Sequence, residues 1–254
     1  MNAVAIIPAR MNATRFPGKP LVPIAGIPML GHCFHRSRLA GISDVYIATC
    51  DEVIAEYSET IGGEPIMTSA SHDRATTRTA EALKIIEKKL GKKIDIIVMV
   101  QGDEPLIPPS AISETLKHFE DPNVKIVNIM SKISSEDAFR DNNNVKVVVD
   151  NNNDAMYFSR EPIPSPWKGW QHLPRYMQTG IIAFRRESLL LFNKMDETEL
   201  ERCESIDMNR VLESGGKVRM VIVDYSTIGV DTPEELMQVE KMMIEDKDFR
   251  KYSL

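Results

Sequence analysis

The chain has 254 residues, 43% hydrophobic and 27% charged, with a net charge of −6, which is enough length for a substantial buried core and a composition ordinary for a water-soluble enzyme. The negative balance removes any electrostatic reason to expect nucleic acid as a partner, and no segment reaches the ~20 apolar residues needed for membrane insertion. The apolar N-terminal run lacks the charged leader and the length of a signal peptide, and Cys33, Cys50 and Cys203 follow neither a zinc nor a disulfide pattern, so a cytoplasmic protein with reduced thiols is expected.

The first predicted element is a buried strand, Val4–Pro8, which delivers Ala9 and Arg10 and then Arg15, Gly18 and Lys19 at its carboxyl end. Three cations and a glycine turn rich in backbone donors suit a polyanion, above all the tail of a nucleoside triphosphate. One ammonium about 4 Å from one phosphate charge is worth about 4 kcal/mol at an effective dielectric near 20, so two or three such groups can order that tail. The GxxxxGK[ST] spacing of a P-loop is absent.

Helical patterns follow at Met29–Leu39, Ala80–Leu90 and Pro109–Phe119, alternating with apolar runs at Val45–Ala48, Ile94–Val100 and Lys125–Met130. The alternation predicts a mostly parallel sheet covered on both faces, with ligands beyond the carboxyl ends of its strands. Directly after Ile94–Val100 comes Gln101-Gly102-Asp103-Glu104-Pro105. There Asp103 is placed to hold Mg²⁺, a hard cation that prefers carboxylate and phosphate oxygens. His32 and His35, three apart on a helix, have no accompanying ligand pattern and read as packing or surface residues.

Further strands are expected at Val145–Val149, Thr179–Phe184 and Val218–Val223, the first of them inside an asparagine-rich stretch from Asp141 to Asp154. Pro162, Pro164 and Pro166, with Trp167 and Trp170, exclude a helix and predict a long surface loop. Its tryptophans would line a sugar, a subunit interface or the loop's own anchor. A helix over Glu199–Glu213 ends at Gly215-Gly216, and another over Pro233–Asp246 starts after Asp231-Thr232. Asp231 reads either as a second metal carboxylate or as the cap of that last helix.

Val4-Ala5-Ile6-Ile7-Pro8-Ala9-Arg10, Thr14-Arg15-Phe16-Pro17-Gly18-Lys19-Pro20-Leu21, Gln101-Gly102-Asp103-Glu104-Pro105-Leu106-Ile107, Ala155-Met156-Tyr157-Phe158-Ser159-Arg160-Glu161-Pro162-Ile163-Pro164 and Gly229-Val230-Asp231-Thr232-Pro233-Glu234 resemble the signatures of the 3-deoxy-manno-octulosonate (Kdo) cytidylyltransferases, or CMP-Kdo synthetases. The resemblance runs in order from Val4 to about Met243. It implies a nucleotide-diphospho-sugar transferase-like fold, a Rossmann-like three-layer α/β/α arrangement with a mixed, mostly parallel sheet. One domain would cover residues 1–254, with a nucleotide half at about 1–140 and a sugar-binding, dimer-forming insertion at about 151–184.

The implied reaction joins CTP to a 2-keto-3-deoxy sugar acid with release of pyrophosphate. By the same resemblance Arg10, Lys19, Asp103 and Asp231 are catalytic, and Asp103 and Asp231 hold Mg²⁺. Pro8, Ala9, Arg10, Arg15, Lys19, Arg78 and Gln101 would contact the nucleotide, and Gln101, Tyr157, Arg160, Gln178, Glu204 and Asp207 the sugar. Lys146, in a strand resembling the family's Val-Lys-Val-Val, would meet a phosphate or solvent.

Some positions depart from the family. Arg74, Ala75 and Thr77 replace Ser, Gly and Asp, Gln178 stands in place of a histidine, and Met208 replaces the glutamine of a Glu-Gln pair. A pocket built to bond a sugar hydroxyl discriminates strongly on such groups. An acceptor other than Kdo (aminated, nonulosonic or a phosphonate) is therefore kept as an alternative, as is a nucleotide-binding protein without catalysis.

Overall fold

The computed structural model describes residues 1–12, 16–225, 228–230 and 232–253, without the Gln171 side chain. Arg15 and Asp231 lie outside the described residues. Two compact units emerge, Met1–Ser113 with Thr227–Leu254, and Glu114–Ser226.

In the first unit β1 (Ala3–Pro8) is followed by a hairpin of β2 (Pro23–Ile24) and β3 (Ile27–Pro28), then α1 (Met29–Leu39), β4 (Val45–Thr49), α2 (Glu52–Thr60), β5 (Glu64–Met67), α3 (Ala75–Leu90), β6 (Ile96–Val100) and α4 (Pro109–Lys117), which crosses the unit boundary. Its sheet runs β6-β1-β4-β5 with every pair parallel. Val4–Ile7 and all of β6 are buried, as continuous apolar strands must be when helices cover both faces. α3 buries Thr76, Thr79, Ala80, Leu83 and Ile86 along one stripe, the three-and-four spacing of a core-facing helix. It stops at Gly91, whose φ of +64° is a left-handed cap.

The second unit contains β7 (Ile126–Lys132), α5 (Glu136–Arg140), β8 (Lys146–Val149), β9 (Ala155–Ser159), β10 (Tyr176–Arg185), α6 (Arg186–Phe192), α7 (Glu199–Glu204), α8 (Asp207–Glu213) and β11 (Arg219–Val223). β7 pairs parallel with β11 and antiparallel with β10, β10 pairs antiparallel with β8, and β8 with β9. Because β7 takes its partners from this later group, its unit begins at Glu114. The chain then returns to the first unit as α9 (Pro233–Glu245), where Val239 and Met243 join Ile24, Met29, Leu106 and Val230 in one core cluster.

The expected helix over 199–213 is two helices. Ser205 adopts a left-handed conformation, φ +54° and ψ +47°, which ends α7 before α8 begins. β5 and α2 were not expected, since β5 buries only Ile66 and α2 only Ile54, Ala55 and Ser58. The proline loop holds two single turns of 3-10 helix, Pro166–Lys168 and Trp170–His172.

Candidate functional site

In the first unit the residues after β1 are pinned from several sides. The Ala9 N–H extends the ladder to Ala48 O at 2.9 Å, and the Gly18 N–H closes the following loop on Met11 O at 3.0 Å. Gly18 has φ +77°, a conformation that disfavours residues with a Cβ, and Lys19 follows it in a 3-10 turn. The Asp51 carboxylate, two residues past the end of β4, accepts from the Met11 N–H at 2.8 Å. Sequence reasoning missed Asp51, whose signal was its place just beyond a buried parallel strand.

Lys19 Nζ lies 3.0 Å from Asp103 Oδ2, with side-chain exposures of 12% and 31%. The basic loop after β1 and the acidic motif after β6 thus form one charged centre. The Val230 N–H donates to the Asp103 carbonyl at 3.0 Å, so the segment leading to Asp231 is tied to the same motif. Thr232 caps α9, accepting from the Glu235 N–H at 3.2 Å and donating its own N–H to Glu235 Oε2 at 2.8 Å. Beneath the motif, burial and the charges of Asp103 and Glu104 push the Cys33 thiol far up.

Among the described residues no three His, Cys, Asp or Glu side chains gather as a metal cage. Mg²⁺ that arrives with phosphates needs only one or two protein carboxylates. Asp103, half-buried with hard oxygen atoms, fits that requirement.

Arg10 Nη1 donates to His72 O at 3.4 Å and lies 3.8 Å from the Asp73 carboxylate. Arg78 is buried, donates to Thr68 Oγ1 at 2.6 Å, and keeps a buried Nη2 with no hydrogen-bond partner. Gln101 directly follows β6 and is half-buried. The loop between β5 and α3 is held by His72, whose Nδ1 is hydrogen-bonded with Thr77 Oγ1 at 3.1 Å and whose Nε2 bonds Glu81. Burial works to raise the Glu81 pKa, yet the His72 bond and the Ser69 N–H bring it below the usual value.

The second unit collects Tyr157, Arg160 and Glu204. The Glu204 carboxylate accepts from Tyr157 Oη at 3.1 Å, Ser159 Oγ at 2.6 Å and the Arg160 N–H at 2.8 Å, and its carbonyl accepts from Arg160 Nε at 2.8 Å. Burial pushes its pKa up, but these bonds and the Arg160 charge outweigh it and the net shift is downward. Asp207 opens α8 and Gln178 lies on β10, both half-buried.

Two expectations are corrected here. Lys146 meets neither phosphate nor solvent: it is fully buried, and its ammonium donates to Asp141 O at 2.9 Å, Asn144 O at 2.7 Å and the Arg160 carbonyl. Met208 is also fully buried within the core, so its replacement of a glutamine bears on packing rather than on ligand contact. Trp170 packs on Phe139, with centroids 5.2 Å apart, and under the Arg175 guanidinium at 4.0 Å, which makes it the loop's anchor. His32 and His35 pack around Tyr252.

A sequence profile of the cytidylyltransferase family matches residues 4–222. A 3-deoxy-manno-octulosonate cytidylyltransferase of Geobacter metallireducens is 42% identical over 94% of this chain and 96% of its own. The chain belongs to the cytidylyltransferase family. A maize protein of the same name is 42% identical over 95% of this chain and 81% of its own. The solved structure of a CMP:2-keto-3-deoxy-manno-octonic acid synthetase complexed with CTP superposes with a TM-score of 0.87 at 35% identity, covering 96% of this chain and 99% of that one. A Leptospira borgpetersenii cytidylyltransferase, at 17% identity and a TM-score of 0.67, shares the fold. This cytidylyltransferase is accordingly a nucleotidyltransferase with an α/β fold and a mixed, mostly parallel sheet. Among its described residues no helix is long and apolar enough to cross a membrane.

Proposed function

We propose that the chain transfers CMP from CTP to the anomeric hydroxyl of Kdo or a closely related 2-keto-3-deoxy sugar acid. The oxygen of that hydroxyl bonds to the α-phosphorus as the bond to pyrophosphate breaks, and the hydroxyl proton passes to solvent. The observation that carries this reading is the Lys19–Asp103 pair at 3.0 Å, cation and carboxylate joined at the strand ends of a chain 42% identical to named Kdo cytidylyltransferases.

Arg10 and Lys19 bind the triphosphate and stabilise charge growing on the departing pyrophosphate, with Arg15 beside them in sequence. The unpartnered Arg78 Nη2 takes an acceptor atom of the nucleotide, and Gln101, Pro8 and Ala9 border it. Asp103 and Asp231 would hold Mg²⁺, which when bound neutralises and orients phosphate and sugar carboxylate oxygens. Glu204 fixes Tyr157 and Arg160 for the sugar, with Gln178 and Asp207 completing that set.

The same proposal includes pairing of two copies through residues 151–184, where Trp167 is 87% and Met156 64% exposed, and a cytoplasmic setting. An acceptor chemically different from Kdo is favoured by one observation, Gln178 in the place of the family's histidine.

Pyrophosphate release with CTP, Mg²⁺ and a panel of sugar acids tests the activity. Asp103→Asn is expected to lower turnover by about 100-fold or more with the fold intact, and Lys19→Ala to raise the CTP requirement by about tenfold. Near-normal rates in the first, or unchanged CTP dependence in the second, would remove that residue from the site.

A further inference from the structure

β10 departs from regular pairing at one place. Tyr176, Met177 and Gln178 oppose Lys132, Ser131 and Met130, and pairing resumes with Ile182 opposite Asn128. Thr179, Gly180 and Ile181 therefore share a single partner position, Ile129, and a bulge of this kind takes backbone groups out of the ladder.

Two of the displaced carbonyls find the side chain of Asn128, whose Nδ2 donates to Thr179 O at 3.1 Å and to Ile181 O at 2.7 Å. Asn128 is fully buried, in a strand otherwise apolar from Ile126 to Met130. A polar group in such a place costs free energy unless bonded, and a primary amide supplies both donors from one nitrogen without a charge. Packing alone would be served by valine or leucine. The amide matches the bulge.

Gln178 is the residue at which the bulge opens. Opposite Met130, two residues from Asn128, it falls on the same face of the strands as Asn128. Gln178 Oε1, Asn128 Oδ1 and Thr179 Oγ1 are buried atoms without a hydrogen-bond partner, so the polar groups at this bulge outnumber the bonds made within it.

We infer that Asn128 is a positioning residue for the sugar-acid acceptor: by closing the bulge it sets where Gln178 presents its amide, and through Gln178 it governs which acceptor is taken. This rests on the reading of Gln178 as an acceptor contact. A residue that only supported the core would act on stability and on both substrates alike. One that acts through Gln178 affects the acceptor alone and has no further effect once Gln178 is gone.

The test uses the full chain and pyrophosphate release, varying Kdo at saturating CTP and CTP at saturating Kdo. Asn128→Ala and Gln178→Ala are each expected to raise the KM for Kdo about tenfold with less than about a twofold change for CTP, and the double variant to match Gln178→Ala. Asn128→Thr keeps one hydroxyl donor and falls between; it carries the test if the alanine variant does not fold. Equal changes in both KM values, effects that multiply in the double variant, or an Asn128 series without effect while Gln178→Ala is impaired would overturn the role of Asn128 alone. An unchanged KM for Kdo in Gln178→Ala would overturn the reading of Gln178 as an acceptor contact and this inference with it; if the wild type takes another acid of the panel in place of Kdo, the same KM comparison on that acid decides in the same way.

Discussion

Lys146 and Lys19 show how differently one residue type is used within the chain. Lys19 keeps a half-exposed carboxylate as its neighbour, a pairing that a phosphate can share. Lys146 has given its ammonium to three carbonyls, which weld the Asp141–Asn144 turn to the end of β9 at Arg160, and burial pulls its pKa down. Lys146→Met would strand those carbonyls, and at about 1–3 kcal/mol for each unsatisfied buried group a loss of at least about 3 kcal/mol is expected in urea denaturation. Both lysines follow or lie in short apolar runs, so sequence marks each as special without separating them. Only the tertiary position of the accepting carbonyls does that. Asn128 was legible in principle, as a lone amide in Ile126–Met130, but the bulge it closes depends on register with β10 and leaves no local pattern.

At the scale of elements, the long buried strands and the helices with regular apolar stripes were readable, and α1 has the bounds its pattern predicts. What escaped was structure set by backbone geometry or by partners. β5 and β9 take their place from pairing with β4 and β8, and the division between α7 and α8 comes from one left-handed residue. At Ser205 a side chain costs roughly 1–2 kcal/mol relative to an unstrained conformation. Ser205→Gly should therefore leave stability within about 0.5 kcal/mol, relief of strain offsetting the added freedom of the unfolded chain. Ser205→Val should lose about 2 kcal/mol. The same denaturation measurement decides, and equal losses in both would show that backbone strain is not what Ser205 bears. The turn matters because Glu204, next to it, binds Tyr157, Ser159 and Arg160.

For the molecule as a whole, acid sensitivity begins with a residue outside the proposed catalytic set. His32 is fully buried, bonded through Nε2 to Ile24 O at 2.9 Å and through Nδ1 to Tyr252 Oη at 2.8 Å. Burial foremost, with the Arg36 charge, lowers its pKa from 6.5 to about 4. The unfolded chain thus takes up a proton below pH 6.5 that the folded chain refuses until about pH 4, and stability must fall across that window as pH falls. The shift corresponds to a loss of about 3 kcal/mol. Thermal melts from pH 7 to pH 4 should show that slope and His32→Gln should flatten it; an unchanged slope would assign the effect elsewhere. Arg36, also fully buried, extends the same assembly to Asp246 at 2.7 Å and to the carbonyl of Ile107 at 3.2 Å, the last residue of the Asp103 motif. Neither His32 nor Arg36 belongs to the motifs that carry the family resemblance.

The two tryptophans of the chain, Trp167 and Trp170, fall within one loop of the second unit and differ sharply in surroundings. Trp167 is 87% exposed, while Trp170 is clasped between Phe139 and Arg175. Indole emission from this protein therefore reports on that loop in two colours, a red-shifted component open to iodide and a shielded one. Both indoles belong to the second unit, so a fluorophore installed in the first gives a separate probe carried by the unit that bears Lys19 and Asp103.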